Sequence, residues 1–168
     1  MKKKTEYLAK TAVIAALYAV LTYAVAPIAY GPIQFRISEA LTILPIFCPA
    51  SIPGLTVGCV LANILSTVDP IDMVLGPIAT LLACLVTYAA RNLCIKRYPL
   101  LSFLSPVIFN GLIVGAEIAY FTTDDTFWHA YLINGASVAF GEIVVVFILG
   151  TALFFAILKN EKLKQLLR

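Results

Sequence analysis

From Thr11 to Phe35 the chain runs 25 residues without an Asp, Glu, Lys or Arg. A helix of about 20 apolar residues crosses the hydrocarbon core of a bilayer. Other uncharged or nearly uncharged stretches follow, and 61% of all residues are hydrophobic while only 12% are charged. An ordinary soluble domain carries about 25% charged residues. No soluble fold of this length hides so much apolar surface, so the solvent is a bilayer. The sequence predicts an all-α integral membrane protein, one multi-pass domain over residues 1–168 with no soluble appendage.

The N-terminus, MKKKTEYLAKTAVIAALYAVLTYAVAP, imitates a signal peptide with its basic start, apolar run and the A-x-A at Ala24 and Ala26. The apolar run is too long for a signal h-region and further spans follow, so it is read as the first span. The basic residues set the orientation. Lys2, Lys3, Lys4 and Lys10 form one cluster, Arg91, Lys96 and Arg97 a second, and Lys159, Lys162, Lys164 and Arg168 a third; Arg36 stands alone. The positive-inside rule puts the three clusters in the cytoplasm and Arg36 outside.

Spans follow from these anchors. The first runs outward over about 11–30, the fourth inward over about 70–91 and the fifth outward over about 99–121; the last returns to Leu158. Between them, 37–67 is interrupted at CPASIPG, where Pro49, Pro53 and Gly54 are expected to stop a helix. The two pieces are short, and a pair of tilted crossings or a shallow hairpin from outside both fit. Two crossings give a six-transmembrane-helix bundle with both termini cytoplasmic.

Ionisable groups at membrane depth are costly and mark function by default. At about 1.5 Å per residue, Glu117 lies roughly 6 Å below the outer end of its span, and Asn110, seven residues earlier on the same face, roughly 16 Å below it. Glu142 falls near the outer end of the last span, and Glu39 opens the second. Glu39, Asp69, Asp72, Glu117, Asp124, Asp125 and Glu142 oppose Arg36 on that side, seven acids against one base. Such a region attracts a cation and repels an anion. The plainer alternatives are that Arg36 and Glu39 pair along one helix face and that Glu117 and Glu142 face loop water. Tyr30, Phe35, Tyr120, Phe127, Trp128 and Tyr131 are either an interfacial aromatic belt or a platform for a flat heterocycle.

Ala12, Ala15, Ala16 and Ala19 make two overlapping A-x-x-x-A pairs, and small residues four apart let helix backbones approach closely. Their partner is either internal or another protein; Gly111 and Gly115 offer the same device inside the bundle. Cys48, Cys59, Cys84 and Cys94 contain no C-x-x-C and have one histidine, His129, to help, so they read as apolar packing residues rather than metal ligands. No H-E-x-x-H, G-x-S-x-G or phosphate-binding loop occurs. An enzyme, a metal and a bound cofactor are not expected, nor is a nucleic-acid partner, and any ATP use belongs to partner proteins.

These residues resemble a known family. YGPIQFRISEALTILPIF (30–47), NGLIVGAE (110–117) and GEIVVVFILG (141–150) are similar to the QueT-type substrate-binding S-components of energy-coupling factor (ECF) transporters, a subfamily proposed to import queuosine precursors. The resemblance covers essentially the whole chain. It implies a bacterial plasma-membrane subunit that binds substrate at its outer face and docks through the first-helix alanines onto a scaffold transmembrane subunit. Two cytoplasmic ATPases power the cycle, and the subunit topples to carry its site inward. The implied substrate is a 7-deazaguanine base, such as the aminomethyl precursor or queuine. Its guanine-like edge suits a carboxylate and its cationic side arm a second one. Glu117 is expected on the edge, Glu142 or Glu39 near the amine, Asn110 and Gln34 on the carbonyl and ring nitrogen, and Trp128 or Tyr30 in the stack, with Arg36 orienting Glu39. The competing readings are an S-component for another vitamin and a solitary proton-coupled carrier or small channel with Glu39, Glu117 and Glu142 as its relay. Against the relay, the acids lie on one side only.

Overall fold

The computed structural model describes residues 2–30, 33–64, 71–96, 98–122 and 126–167. Gly31, Pro32, Asp69, Pro70, Arg97, Asp124, Asp125 and Arg168, which enter the sequence reading, lie outside the described residues, as does the side chain of Lys2. The described residues are helical almost throughout. Helix α1 spans Lys2–Ala24 and is followed by the single turn α2, Ala26–Ala29; a 3₁₀ helix then covers Ile37–Ile46. Next come α3, Ser51–Asn63, α4, Asp72–Ala89, and α5, Leu100–Thr122. Helix α6, Phe127–Val144, continues through a π-helical segment, Val145–Gly150, into α7, Thr151–Lys159, and α8, Glu161–Leu167, closes the chain.

Four helical stretches are long and apolar enough to cross a membrane: Lys3–Ala24, Asp72–Asn92, Leu100–Phe121 and Phe127–Lys159. They match the first, fourth, fifth and last expected spans. The chain is a multi-pass membrane protein of the cell membrane. The last stretch has 33 residues, about 50 Å of helix, so it exceeds the hydrocarbon core, and it begins at Phe127, so Glu142 lies well inside it rather than near its outer end. The 37–67 region holds the two short pieces. Ten residues of 3₁₀ helix and 13 of α-helix each extend about 20 Å, short of the ~30 Å core.

The expected break in this region falls earlier than the sequence reading places it. The chain turns at Phe47–Ala50, and Pro53 and Gly54 lie inside the first turn of α3. Proline is tolerated there because the N–H it lacks has no intrahelical acceptor. Gly54 is a packing residue rather than a stop: a Cβ on it would meet Thr11 O at 2.9 Å. Four residues on, a Cβ at Gly58 would meet Tyr18 Cβ at 2.7 Å and Ala15 O at 2.8 Å. Gly54 and Gly58 thus form the small-residue seam on which α1 lies, and Ala15 and Ala19, 5% and 7% exposed, are the alanines that face it. Ala12 and Ala16 are exposed on the other side of α1. Gly58→Val should therefore cost about 1–3 kcal/mol by overpacking, read as a shifted denaturation midpoint in detergent. An unchanged midpoint would show the seam to be loose.

On the far side, Gly111 and Gly115 of α5 pack against Gly135 and Ala139 of α6, as the sequence predicts. The shared core joins Tyr18, Ile43, Leu55, Phe103, Val146, Phe154 and Ile157. Cys48, Cys59 and Cys84 are buried as apolar fillers, and Cys94 is exposed. At the end that carries Lys10, Arg91 and Lys159, the core is aromatic: Tyr98 lies 4.6 Å from Phe103, and its hydroxyl bonds Thr151 at 2.6 Å. The opposite half of the bundle, around the C-terminal half of α1 and the start of α4, is filled with polar groups.

Candidate functional site

That polar interior draws on six elements. Tyr18 and Thr22 come from α1, Arg36, Ser38, Glu39 and Thr42 from the start of the 3₁₀ helix, and Asn63 from the end of α3. Asp72 opens α4, Asn110 lies mid-way along α5, and Glu142 lies in the last turn of α6. All are at most 5% exposed. Buried polar groups are tolerated only when bonded, and most of these bonds run between elements. Tyr18 donates its hydroxyl to Glu39 Oε1. Thr22 and Ser38 share a 2.7 Å hydroxyl bond. Asn63 Nδ2 donates to the Asp72 carbonyl at 2.7 Å, and Asn110 Nδ2 donates to Glu142 Oε1, also at 2.7 Å.

Arg36 departs from expectation. Its guanidinium forms an ion pair with Asp72 Oδ2 at 3.1 Å, rather than pairing with Glu39 three residues along. The spacing argument assumes an α-helix, whereas Arg36 precedes a 3₁₀ helix with extended backbone, φ −85° and ψ 95°. Its side chain is therefore sent toward α4. The Tyr30 ring covers it at 5.5 Å, and the Tyr30 hydroxyl donates to Ala62 O at 2.6 Å. Gln34 adopts φ +52°, and its carbonyl is seated on α6 at Gly141, where a Cβ would meet Gln34 O at 3.2 Å. Residues 33–36 are thus held between α4 and α6, next to Glu142.

Two non-α segments meet at this place. The 3₁₀ helix carrying Glu39 packs against the π-helical turns that follow Glu142. A 3₁₀ run longer than about four residues is uncommon, and π-turns concentrate at functional sites. The geometry brings Gln34, Arg36, Glu39, Asn110 and Glu142 into one buried region, with Tyr30 at its edge. Glu117, 3% exposed, lies seven residues or about 10 Å further along α5 from Asn110 on the same face. Trp128 stands apart: it is 71% exposed and 14 residues, about 21 Å of helix, from Glu142, where it contacts Phe127 and Tyr131. The carboxylates do not line an open cup; Glu39, Glu117 and Glu142 are enclosed by protein.

Sequence reasoning missed Tyr18, Asn63 and the role of Asp72. A tyrosine in the middle of an alanine-rich span is a polar tip placed where lipid cannot satisfy it, and that signal was available. Asn63 and Asp72 flank residues 65–70, and nothing in their spacing announced that they meet.

The family model described as "QueT transporter" matches residues 8–159, most of the chain. The curated "Queuosine precursor transporter QueT" of Lactococcus lactis subsp. cremoris (strain MG1363) is 40% identical over 82 residues, which is 48% of this chain and 48% of that protein. The aligned segment thus spans about half the length of the curated relative. No solved structure matches the chain. A polytopic helical fold with a buried polar site is what a membrane transporter requires, and with the family match over residues 8–159 this chain belongs to the QueT transporter family.

Proposed function

We propose that this chain is the substrate-binding membrane subunit, or S-component, of an ATP-driven ECF importer, and that it binds a queuosine precursor, a 7-deazaguanine base, from the extracellular side. Family membership and the name of the Lactococcus relative support the cargo. The observation that carries the binding role is the set of enclosed carboxylates, Glu39, Glu117 and Glu142, with Asn110 of α5 bonded to Glu142 of α6. Such groups cost folding free energy when nothing but protein surrounds them. Both termini lie in the cytoplasm by the positive-inside rule. The chain carries no phosphate-binding loop, so two partner ATPases supply the energy, and a scaffold subunit docks on the exposed Ala12 and Ala16 of α1. Delivery then occurs by toppling of the whole subunit.

In this reading Glu117 accepts the adjacent ring N–H and amino group of the guanine-like edge as a bidentate pair. Glu117→Gln replaces one acceptor oxygen by a donor and removes the charge. A hydrogen bond to a charged group contributes about 1.5–3 kcal/mol, so affinity for a 7-deazaguanine should fall roughly 10–100-fold. Titration calorimetry on the purified protein measures it, and unchanged affinity sinks the edge-binding role. Mass spectrometry of small molecules carried through purification tests the cargo itself. Recovery of an unrelated vitamin would replace the queuosine precursor while keeping the S-component.

A further inference from the structure

The basic end of the bundle carries a groove that cargo binding does not use. It runs between α1, the 3₁₀ helix, α7 and α8, and Val13, Leu17, Leu44, Leu153, Leu163 and Leu166 line it. Its volume is about 450 Å³, and its walls are apolar except where Glu6 and Lys10 stand. Leu17 lies eleven residues beyond Glu6 on α1, about 17 Å along the helix. That is close to half of the ~30 Å hydrocarbon core, the depth of one leaflet. Val13, Leu17 and Leu166 are 59%, 49% and 64% exposed, so the groove is open along its side. On a membrane-crossing helix that side meets lipid.

Charge gathers at the polar end. Helix α8 leaves the line of α7 at Asn160, whose backbone is extended and whose side-chain oxygen accepts from the Leu163 N–H at 3.2 Å. Leu163 and Leu167 then pack on the core, while Lys162 is exposed. Residues 3–10 and 159–167 together carry six lysines and two glutamates. Lys10 pairs with Glu6 at 2.7 Å and Lys164 with Glu161 at 3.4 Å, which leaves four lysine charges outside any ion pair among the described residues. A second hollow of about 350 Å³ adjoins the groove across Glu6 and Lys10, and Lys3, Tyr7 and the turn Cys48–Ala50 complete it.

The occupant must be thin and apolar over about 17 Å and anionic at one end. A partner helix is too thick, since 450 Å³ holds only about one turn of a helix 10 Å across. Basic clusters beside a transmembrane helix attract anionic lipid. We propose that the groove seats one acyl chain of an anionic phospholipid, with its phosphate in the hollow beside Lys3 and Lys10 and the lysines of α8 adding to the attraction. Ala12 and Ala16 are not among the groove's lining residues, so the lipid lies beside the alanine face rather than on it. The inference does not depend on the identity of the cargo.

The test uses the full chain in detergent, stripped of lipid and titrated with dioleoylphosphatidylglycerol and dioleoylphosphatidylcholine. These share their chains and differ in headgroup charge, and native mass spectrometry counts the bound lipid. The anionic lipid should bind at least about tenfold more tightly. Val13→Trp should fill the groove and remove the tight site for both lipids. Changing Lys3, Lys4 and Lys162 together to Gln should lower the anionic lipid to the level of the zwitterionic one and leave the latter unchanged. Equal affinities in the unaltered protein overturn the inference, and that arm needs no variant to fold. An anionic preference that survives Val13→Trp also overturns it, because surface charge alone then recruits the lipid. So does an unaltered chain that retains neither lipid while a Val13→Cys side chain cross-links to a partner protein, which assigns the groove to that protein.

Discussion

Replacing Ala16 by tryptophan is expected to reduce uptake of a labelled queuosine precursor to background while leaving substrate binding and stability near their unaltered values. Ala12→Trp should act in the same way. Both side chains are exposed on α1, between Val13, Leu17 and Val20, which are 59%, 49% and 62% exposed. Because both positions are exposed, an indole there is not forced into the chain's own core, and its effect on uptake is expected to run through a partner. The indole prevents the close backbone approach that small residues four apart permit. Ala15→Trp provides the contrast. Ala15 faces Gly58, with its carbonyl 2.8 Å from the position of a Cβ there, so an indole at residue 15 must push α1 off α3 and destabilise the protein by at least the ~1–3 kcal/mol typical of overpacking. Transport assays in cells expressing the matching ATPases and scaffold, paired with binding to purified protein, separate the cases. Uptake that persists in the Ala16 variant removes the docking role of this face. Uptake that needs no ATPase and collapses with the proton gradient would instead support a solitary carrier.

The split within the alanine motif shows what a sequence of this kind reveals. Its hydrophobicity and basic clusters carry the membrane class and four of the long helices, because both are summed over many residues and local errors average out. The family resemblance reaches the same place from different residues, and the family match supports it. The paired alanines are legible as a close-packing device, but which pair faces inward depends on where α3 lies. That in turn depends on Gly54 and Gly58, which a helix-breaking rule reads as a stop. Glu39, Asn110, Glu117 and Glu142 stand out because polar groups in apolar segments need a reason. Their burial was not legible, since depth counted along one helix says nothing of what covers it from the side. The Arg36–Asp72 contact was beyond reach for a third reason: it joins residues 36 apart through a change from extended chain to 3₁₀ helix, and spacing rules apply only within one regular element.

Asp72→Ala should be among the most destabilising single changes in the protein, at about 3–5 kcal/mol. The substitution removes the acceptor of the 3.1 Å ion pair and leaves the Arg36 guanidinium 5% exposed in the interior. Arg36 Nε already has no hydrogen bond among the described residues, so the lost contact is not replaced from the other side of the group. The Asn63 bond to the Asp72 carbonyl is to backbone and survives. The double variant Arg36→Met with Asp72→Leu should recover most of the stability, because exchanging a buried pair for apolar side chains of similar volume is close to neutral. Denaturation in detergent measures both. A cost below about 1 kcal/mol for Asp72→Ala would mean that water reaches the guanidinium and that the pair behaves as a surface bridge. The double variant also bears on function. It restores packing between residues 33–36 and α4 without charge, while Glu39 and Glu142 keep their Tyr18 and Asn110 donors. If it regains stability and still binds a 7-deazaguanine, Arg36 is a structural tie. If it regains stability and loses binding, the positive charge itself helps hold the carboxylates in the state that receives the ligand.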